Sequence, residues 1–241
     1  RGPLWFQLYW MPDRGALRGL IAQAEATAYE ALVLTVDAPV NGVRDGERRH
    51  GLPLPEGVRA VHWQAPASHR QGLCAGLAEC APTWADVQWL IAQTRLPVLL
   101  KGITHPLDAR EALALGAAGV VVSNHGGRVL DTVPATAELL PRVAEAVRAQ
   151  RADALVLVDG GIRRGTDLFK ALALGADAAL IGRPALYGLA HAGARGVAHV
   201  LRLLRDEFEA TLALTGCPRV DDIHTDCLWP LEPPLQAASP A

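Results

Sequence analysis

The stretch SNHGGR, residues 123–128, puts a base, two bendable residues and a cation together at the end of an apolar run. His125 can exchange a proton near neutral pH, Gly126 and Gly127 let backbone approach a ligand, and Arg128 offers a planar fork to an anion. Other polar residues follow apolar runs in the same way: Gln7 and Tyr9, Thr35 and Asp37, Lys101, Ser123, Asp159 with Gly160, and Gly182 with Arg183. The segments DGGIRRG (159–165) and LIGRP (180–184) pair glycines with Arg163 and Arg183, a combination suited to a phosphate. Each residue alone has an ordinary reading. Gln7 and Tyr9 could simply end a strand, Asp37 could form a turn before Pro39, Lys101 could be a solvated cap, and His125 a structural hydrogen-bonder. The two glycine segments could be tight turns. What argues for chemistry is that all of them fall at one kind of position.

That position is the C-terminal end of a strand. Short apolar runs alternate with longer helical ones, the pattern of parallel strands joined by crossover helices. The expected strands are LWFQLY (4–9), ALVLTV (31–36), PVLLK (97–101), GVVVS (119–123), ALVLVD (154–159) and AALIG (178–182). Their unbroken apolar character predicts cover on both faces. RGALRGLIAQAEATAY, ADVQWLIAQT, PLDAREALALG, ATAELLPRVAEAVRAQ and TDLFKALALG read as helices, several ending in a glycine. ALALGAAGVVV and ALALGADAALI are nearly one sentence written twice, as a barrel of repeated βα units would supply. In such a barrel the C-terminal strand ends share one rim, where the chemistry is carried. Residues 38–82 break the rhythm as a long loop without a clear period, and from Pro218 onward a proline-rich tail reads as loosely packed.

Composition narrows the partners. The chain has 241 residues, is 50% hydrophobic and carries a formal net charge of -2 at pH 7. This allows a large core and gives no field that would attract nucleic acid or an anionic membrane. No run reaches the ~20 apolar residues of a membrane span. Cys74, Cys80, Cys217 and Cys227 lack the spacing of a zinc site, so no metal is expected, and they read as reduced thiols in a cytoplasm.

The motifs WFQLYW, LTVDAPVNGVR, LLKGI, VVSNHGGRVLD, LVDGGIRRGTDLFKALALGA and LIGRP, in this order and spacing, resemble the FMN-dependent α-hydroxy-acid oxidases and dehydrogenases, the group of glycolate oxidase, lactate oxidase and mandelate dehydrogenase. The resemblance runs from Leu4 to the 220s. It implies an α/β fold of the (β/α)8 TIM-barrel type, of which six βα units are recognisable here, as a single domain over 1–241. It also implies FMN as cofactor and oxidation of a small L-2-hydroxy acid to the 2-keto acid. By the same resemblance Gln7, Thr35, Lys101 and Ser123 would contact the flavin, Lys101 near the N1/C2 carbonyl end. Asp159, Gly160, Gly161, Ile162, Arg163, Gly182 and Arg183 would hold its phosphate. His125 would be the base, Asp37 its orienting carboxylate, Arg44 and Arg128 the substrate-carboxylate clamp, and Tyr9 a hydrogen-bonding partner of the substrate. The family's first two barrel strands are not recognisable, so an N-terminally incomplete chain is expected. The resemblance further implies a homo-oligomer, a homotetramer, and leaves oxygen, a quinone or a cytochrome open as electron acceptor. Rival readings are another FMN barrel, such as a type 2 isopentenyl diphosphate isomerase, or a non-catalytic remnant binding flavin or phosphate. The former group lacks the joint presence of Tyr9, Asp37, Arg44 and SNHGGR.

Overall fold

The computed structural model describes residues 2–40, 42, 44–51, 56–58, 61–62 and 81–229. Cys74, Cys80, most of the long loop after Gly51 and the tail beyond Trp229 lie outside the described residues. The chain divides into two compact units, Arg1–Gly161 and Ile162–Ala241.

In the first unit, parallel strands β1 (Trp5–Tyr9), β2 (Ala31–Thr35), β3 (Val98–Ile103), β4 (Gly119–Val122) and β5 (Leu155–Val158) lie side by side in chain order. Helices α1 (Arg14–Ala26), α2 (Asp45–His50), α3 (Trp84–Ile91), α4 (Pro106–Ala114) and α5 (Thr136–Gln150) connect them. The sheet core is Leu32, Leu34, Leu99, Leu100, Val120, Val121, Val156 and Val158, all buried. Against it α1 lays Leu17, Ile21 and Ala24, and α5 lays Leu140, Val143 and Val147, the i, i+3, i+4 and i+7 spacings that put apolar residues on one helical face. The Asp13 carboxylate starts α1 by accepting from the N–H groups of Gly15 at 2.8 Å and Ala16 at 3.0 Å.

Two expectations need correction. β1 is not covered on both faces: of its residues only Leu8 is buried, while Trp5 and Tyr9 are exposed, because β1 pairs with β2 on one side and is the edge strand of this unit. Nor is the segment after β2 without regular structure, since Asp45–His50 forms the short helix α2.

The second unit contains α6 (Gly165–Ala173), the two-residue strand β6 (Ala178–Ala179) and α7 (Arg183–Thr215), which is interrupted at Ala192 and Gly193. Nothing in the sequence reading marks α7, because Gly188, Gly193 and Gly196 obscure its periodicity. Those glycines are there for contact. A Cβ on Gly196 would collide with the Gly188 carbonyl and one on Gly188 would lie 2.6 Å from the Gly196 oxygen, so the two arms of α7 meet backbone to backbone. Gly196→Ala is expected to lower the melting temperature by the cost of an overpacked contact, about 1–3 kcal/mol. A thermal melt beside the exposed control Gly19→Ala, where a Cβ meets nothing within 4 Å, checks it.

Of the tail from Pro218 onward, only residues 218–229 lie within the described residues, and the proline-rich end is outside them. Cys217 is buried, and 3-10 turns at Val220–Asp222 and Thr225–Cys227 precede the exposed Trp229. The thiols of Cys217 and Cys227 are both free, with sulfurs 3.7 Å apart. The Thr215 side chain is the largest single influence and lowers the Cys217 thiol, but burial and the neighbouring Cys227 outweigh it and push the thiol up.

The repeated ALALG phrase proves to be one turn used twice. Gly116 after α4 and Gly175 after α6 both adopt left-handed φ, +99° and +104°. In each case the next residue closes the turn back to the helix: Ala117 N–H to the Ala112 carbonyl at 3.0 Å, and Ala176 N–H to the Ala171 carbonyl at 3.1 Å.

Candidate functional site

Strand register aligns the polar residues. Tyr9 lies opposite Thr35, Thr35 opposite Lys101, Lys101 opposite Val121, and Val121 opposite Leu157. Side chains alternate across a strand, so one face carries Gln7 with Tyr9, then Thr35, then Lys101, with Ser123 and Asp159 two residues beyond the row. The ladder runs on past the strands, with Val36 N–H donating to the Lys101 carbonyl at 2.8 Å and Asp159 N–H to the Val122 carbonyl at 3.0 Å.

The first cluster on this face is tightly bonded. Lys101 Nζ donates to Ser123 Oγ at 3.0 Å and pairs with Asp159 Oδ2 at 3.1 Å, while Ser123 donates to Asp159 Oδ1 at 2.6 Å. The His125 N–H donates to the same serine oxygen at 3.1 Å. Ser123 is thus the junction between the lysine–carboxylate pair and the turn that carries the histidine. Thr136 supports it from α5, its hydroxyl donating to the Asp159 carbonyl at 2.6 Å. At the edge, Gln7 Nε2 donates to Thr35 Oγ1 at 2.8 Å.

The histidine sits under backbone strain. His125 has φ +54°, rare for a residue with a side chain, and opens a 3-10 turn to Gly127. The Asn124 side chain fixes the turn, accepting from Gly126 N–H at 3.0 Å and donating to the Pro134 carbonyl at 3.3 Å. His125 Nδ1 then reaches Asp37 Oδ1 at 3.0 Å, both side chains being largely buried. This bond fixes the ring's orientation and leaves Nε2 as the nitrogen not engaged by Asp37. Asp37 Oδ2 is buried and has no hydrogen-bond partner among the described residues.

A residue not singled out from the sequence makes that pairing possible. Gly102, inside β3 at the point where its register against β4 shifts, has φ +108°, and a Cβ there would fall 2.5 Å from Asp37 Cβ. A glycine immediately after the strand's lysine was the available signal.

The two arginines converge on one acid. Arg44 Nη1 lies 3.2 Å from Glu47 Oε2, and Arg128 Nη2 lies 3.0 Å from Glu47 Oε1. The hydrogen bond from Arg44, reinforced by that from Arg128 and opposed by partial burial, holds the Glu47 carboxyl below its ordinary value. Arg44 Nε is buried without a partner among the described residues. Glu47 was missed because an acid among arginines reads as a solvated charge run.

The glycine-rich segments fall on both sides of the unit boundary. In the first unit Gly160 and Gly161 are left-handed, φ +91° and +82°, and a Cβ on Gly161 would meet nothing within 4 Å. In the second, after Ile162, the Asp167 carboxylate takes the N–H groups of Arg163 at 3.0 Å and Arg164 at 2.9 Å, and the Arg164 guanidinium is spent on Glu207 at 2.8 Å. The Arg163 guanidinium makes no ion pair among the described residues. Gly182 precedes α7, where a Cβ would meet nothing within 4 Å, and Arg183 is the helix's first residue. Among the described residues no group of three or more His, Cys, Asp or Glu could hold a metal ion, and no helix is long and apolar enough to cross a membrane.

A parallel α/β framework that carries a histidine–carboxylate pair, a half-buried lysine paired with an aspartate, and two arginines converging on one acid in the loops after its strands is the layout of a barrel-type enzyme domain. The chain belongs to the FMN-dependent dehydrogenase family, whose profile matches residues 1–230. Its relatives include an L-lactate oxidase of Roseobacter sp., 50% identical over 235 residues, and glycolate oxidase 1 of Zea mays, 45% identical over 231 residues. The alignments take in 94% and 92% of this chain, and 63% and 62% of those proteins. A crystal structure of mandelate oxidase with (S)-2-phenylpropionate superposes with a TM-score of 0.82 at 42% identity, covering 93% of this chain and 62% of that one. The chain therefore spans somewhat less than two thirds of the length of these relatives.

Proposed function

We propose that the protein containing this chain oxidises a small L-2-hydroxy acid, of the lactate or glycolate type, to the 2-keto acid with FMN as cofactor. The observation that carries this reading is the His125–Asp37 pair, a base with one ring nitrogen held by a carboxylate, so that the other is not engaged in that bond. In this reading His125 Nε2 takes the substrate hydroxyl proton, and Asp37 favours the imidazolium that results. Arg44 and Arg128 hold the substrate carboxylate in one orientation, and Tyr9 bonds the substrate from the end of β1. FMN, when bound, supplies the acceptor for the electron pair leaving C2.

The donor set suits that cofactor. An ammonium carries three donors, and Lys101 spends two on Ser123 and Asp159, which leaves one for an electron-rich flavin carbonyl. Gln7 and Thr35 present amide and hydroxyl groups on the same face. Gly160 and Gly161 turn their backbone in the manner of an anion-binding loop, and the phosphate contacts proposed for Ile162, Arg163, Gly182 and Arg183 belong to the second unit.

The test is a visible spectrum of the protein supplied with FMN. Bound flavin bleached anaerobically by L-lactate or glycolate supports the enzyme. Bound flavin that lactate, glycolate and mandelate all fail to bleach identifies a flavin-binding protein without this activity. A second expected outcome concerns the clamp. Arg128→Lys keeps the charge and loses the fork, so kcat/KM for a 2-hydroxy acid should fall by about tenfold or more. The corresponding uncharged 2-hydroxy amide should lose less. Equal losses on both substrates would remove Arg128 from carboxylate binding.

A further inference from the structure

We propose that Glu47 is an internal substitute for the substrate carboxylate, seated between Arg44 and Arg128 until a 2-hydroxy acid displaces it. The inference rests on the function proposed above and adds to it a residue that sets carboxylate affinity.

The arginines and the acid are held in different ways. Gly42, just ahead of Arg44, is pressed on the far segment: a Cβ there would lie 2.5 Å from the Arg128 carbonyl oxygen and 2.6 Å from Val129 Cα. Backbone contact therefore fixes the segment of Arg44 against that of Arg128. Glu47 reaches the same place only through its side chain, from the middle of the six-residue helix α2. Its links to the fork are two ion pairs between half-exposed groups, with side-chain exposures of 30% for Arg44, 44% for Glu47 and 45% for Arg128. Pairs of that kind break cheaply. The fork is rigid in its backbone and its occupant is replaceable.

The occupancy is also incomplete. Each guanidinium offers five donors, yet Glu47 engages Arg44 through Nη1 and Arg128 through Nη2, while Arg44 Nε stays buried and unpartnered among the described residues. A carboxylate entering from outside is not tethered to α2, so it can turn its two oxygens toward guanidinium donors that Glu47 leaves unused. Exchange of one carboxylate for another leaves the charge balance of the fork unchanged. Without an acid there, two cations would face each other uncompensated while the site is empty. Glu47 thus offsets one of the two charges of the empty fork and competes with whatever carboxylate arrives, substrate or product.

The test compares wild type with Glu47→Gln and Glu47→Ala in the flavin-loaded protein. Dissociation constants for L-lactate and pyruvate are read from the flavin spectrum, with lactamide as the uncharged control. Removing the competing charge should tighten both carboxylates by about two- to fivefold, the scale of a half-exposed ion pair, and leave lactamide unmoved. KM for L-lactate should fall in parallel. If lactate binds wild type but binds both variants equally or more weakly, Glu47 merely props the arginines and the inference fails while the proposed function stands. If lactamide tightens as much as lactate, the effect is not a competition of charges and the inference fails too. If no hydroxy acid binds wild type or either variant, the functional reading falls and takes this inference with it.

Discussion

Replacing His125 by alanine is expected to lower turnover of a 2-hydroxy acid by roughly 10²–10⁴-fold while FMN remains bound. The side chain removed bonds Asp37, whereas the backbone N–H of the same residue bonds Ser123 and remains in the variant. The Lys101–Ser123–Asp159 cluster proposed to face the flavin therefore keeps its geometry. Loss of the ring does leave the Asp37 carboxylate, whose Oδ2 already lacks a partner among the described residues, without its bond to His125, a cost of about 1–3 kcal/mol in stability. His125→Asn separates the two effects. Asparagine tolerates the left-handed φ of this position better than alanine and offers Asp37 a donor, but has no base to give. Both variants should lose turnover alike, and the asparagine variant should melt closer to wild type. The measurement is the anaerobic rate of flavin bleaching by L-lactate at matched flavin content. A rate near wild type in either variant would take the proton from His125 and give it to another group.

The reason His125 was visible in the sequence is also the reason Glu47 and Gly102 were not. Strands buried on both faces must be apolar throughout, so β2 to β5 announce themselves, and a polar residue ending such a run stands out against it. Ser123 and Asp159 directly follow β4 and β5, with His125 two residues after Ser123, while β3 continues past the expected end at Lys101 to Ile103. The bonds among them were not legible, because they depend on a parallel register that brings Lys101 beside Ser123 and Ser123 beside Asp159 across long crossovers. β1 misled for a related reason: its apolar composition predicts cover, whereas cover depends on neighbours that composition does not specify. Glu47 lies in a charged stretch with no apolar run to set it off, and only the folded positions of Arg44 and Arg128 give it meaning. In α7 the glycines that let its two arms touch are the same residues that erase a helical signal. The sign of φ at Gly102 is likewise not written in the residue's identity.

That glycine carries the second large expectation. Gly102→Ala should reduce turnover by roughly 10²-fold or more without removing any group that touches substrate or flavin. The added Cβ would lie 2.5 Å from Asp37 Cβ and 2.6 Å from its Cγ, and φ +108° is itself unfavourable for alanine. β3 can relieve the overlap only by moving its end or by driving Asp37 away, and Asp37 holds the His125 ring. A displaced carboxylate would leave the imidazole free to rotate, so Nε2 would no longer face the substrate hydroxyl. Lys101, next in sequence, donates to Ser123 from a strand that is still paired with β2 below this point, so flavin content should fall less than turnover. A double-mutant comparison identifies the route. Once Asp37→Ala has removed the carboxylate, adding Gly102→Ala should cost little further turnover. If the double variant instead loses as much again as Gly102→Ala does alone, the glycine acts on the site by a path other than Asp37. If Gly102→Ala alone turns over like wild type, the close approach of β3 to Asp37 has no part in holding the base.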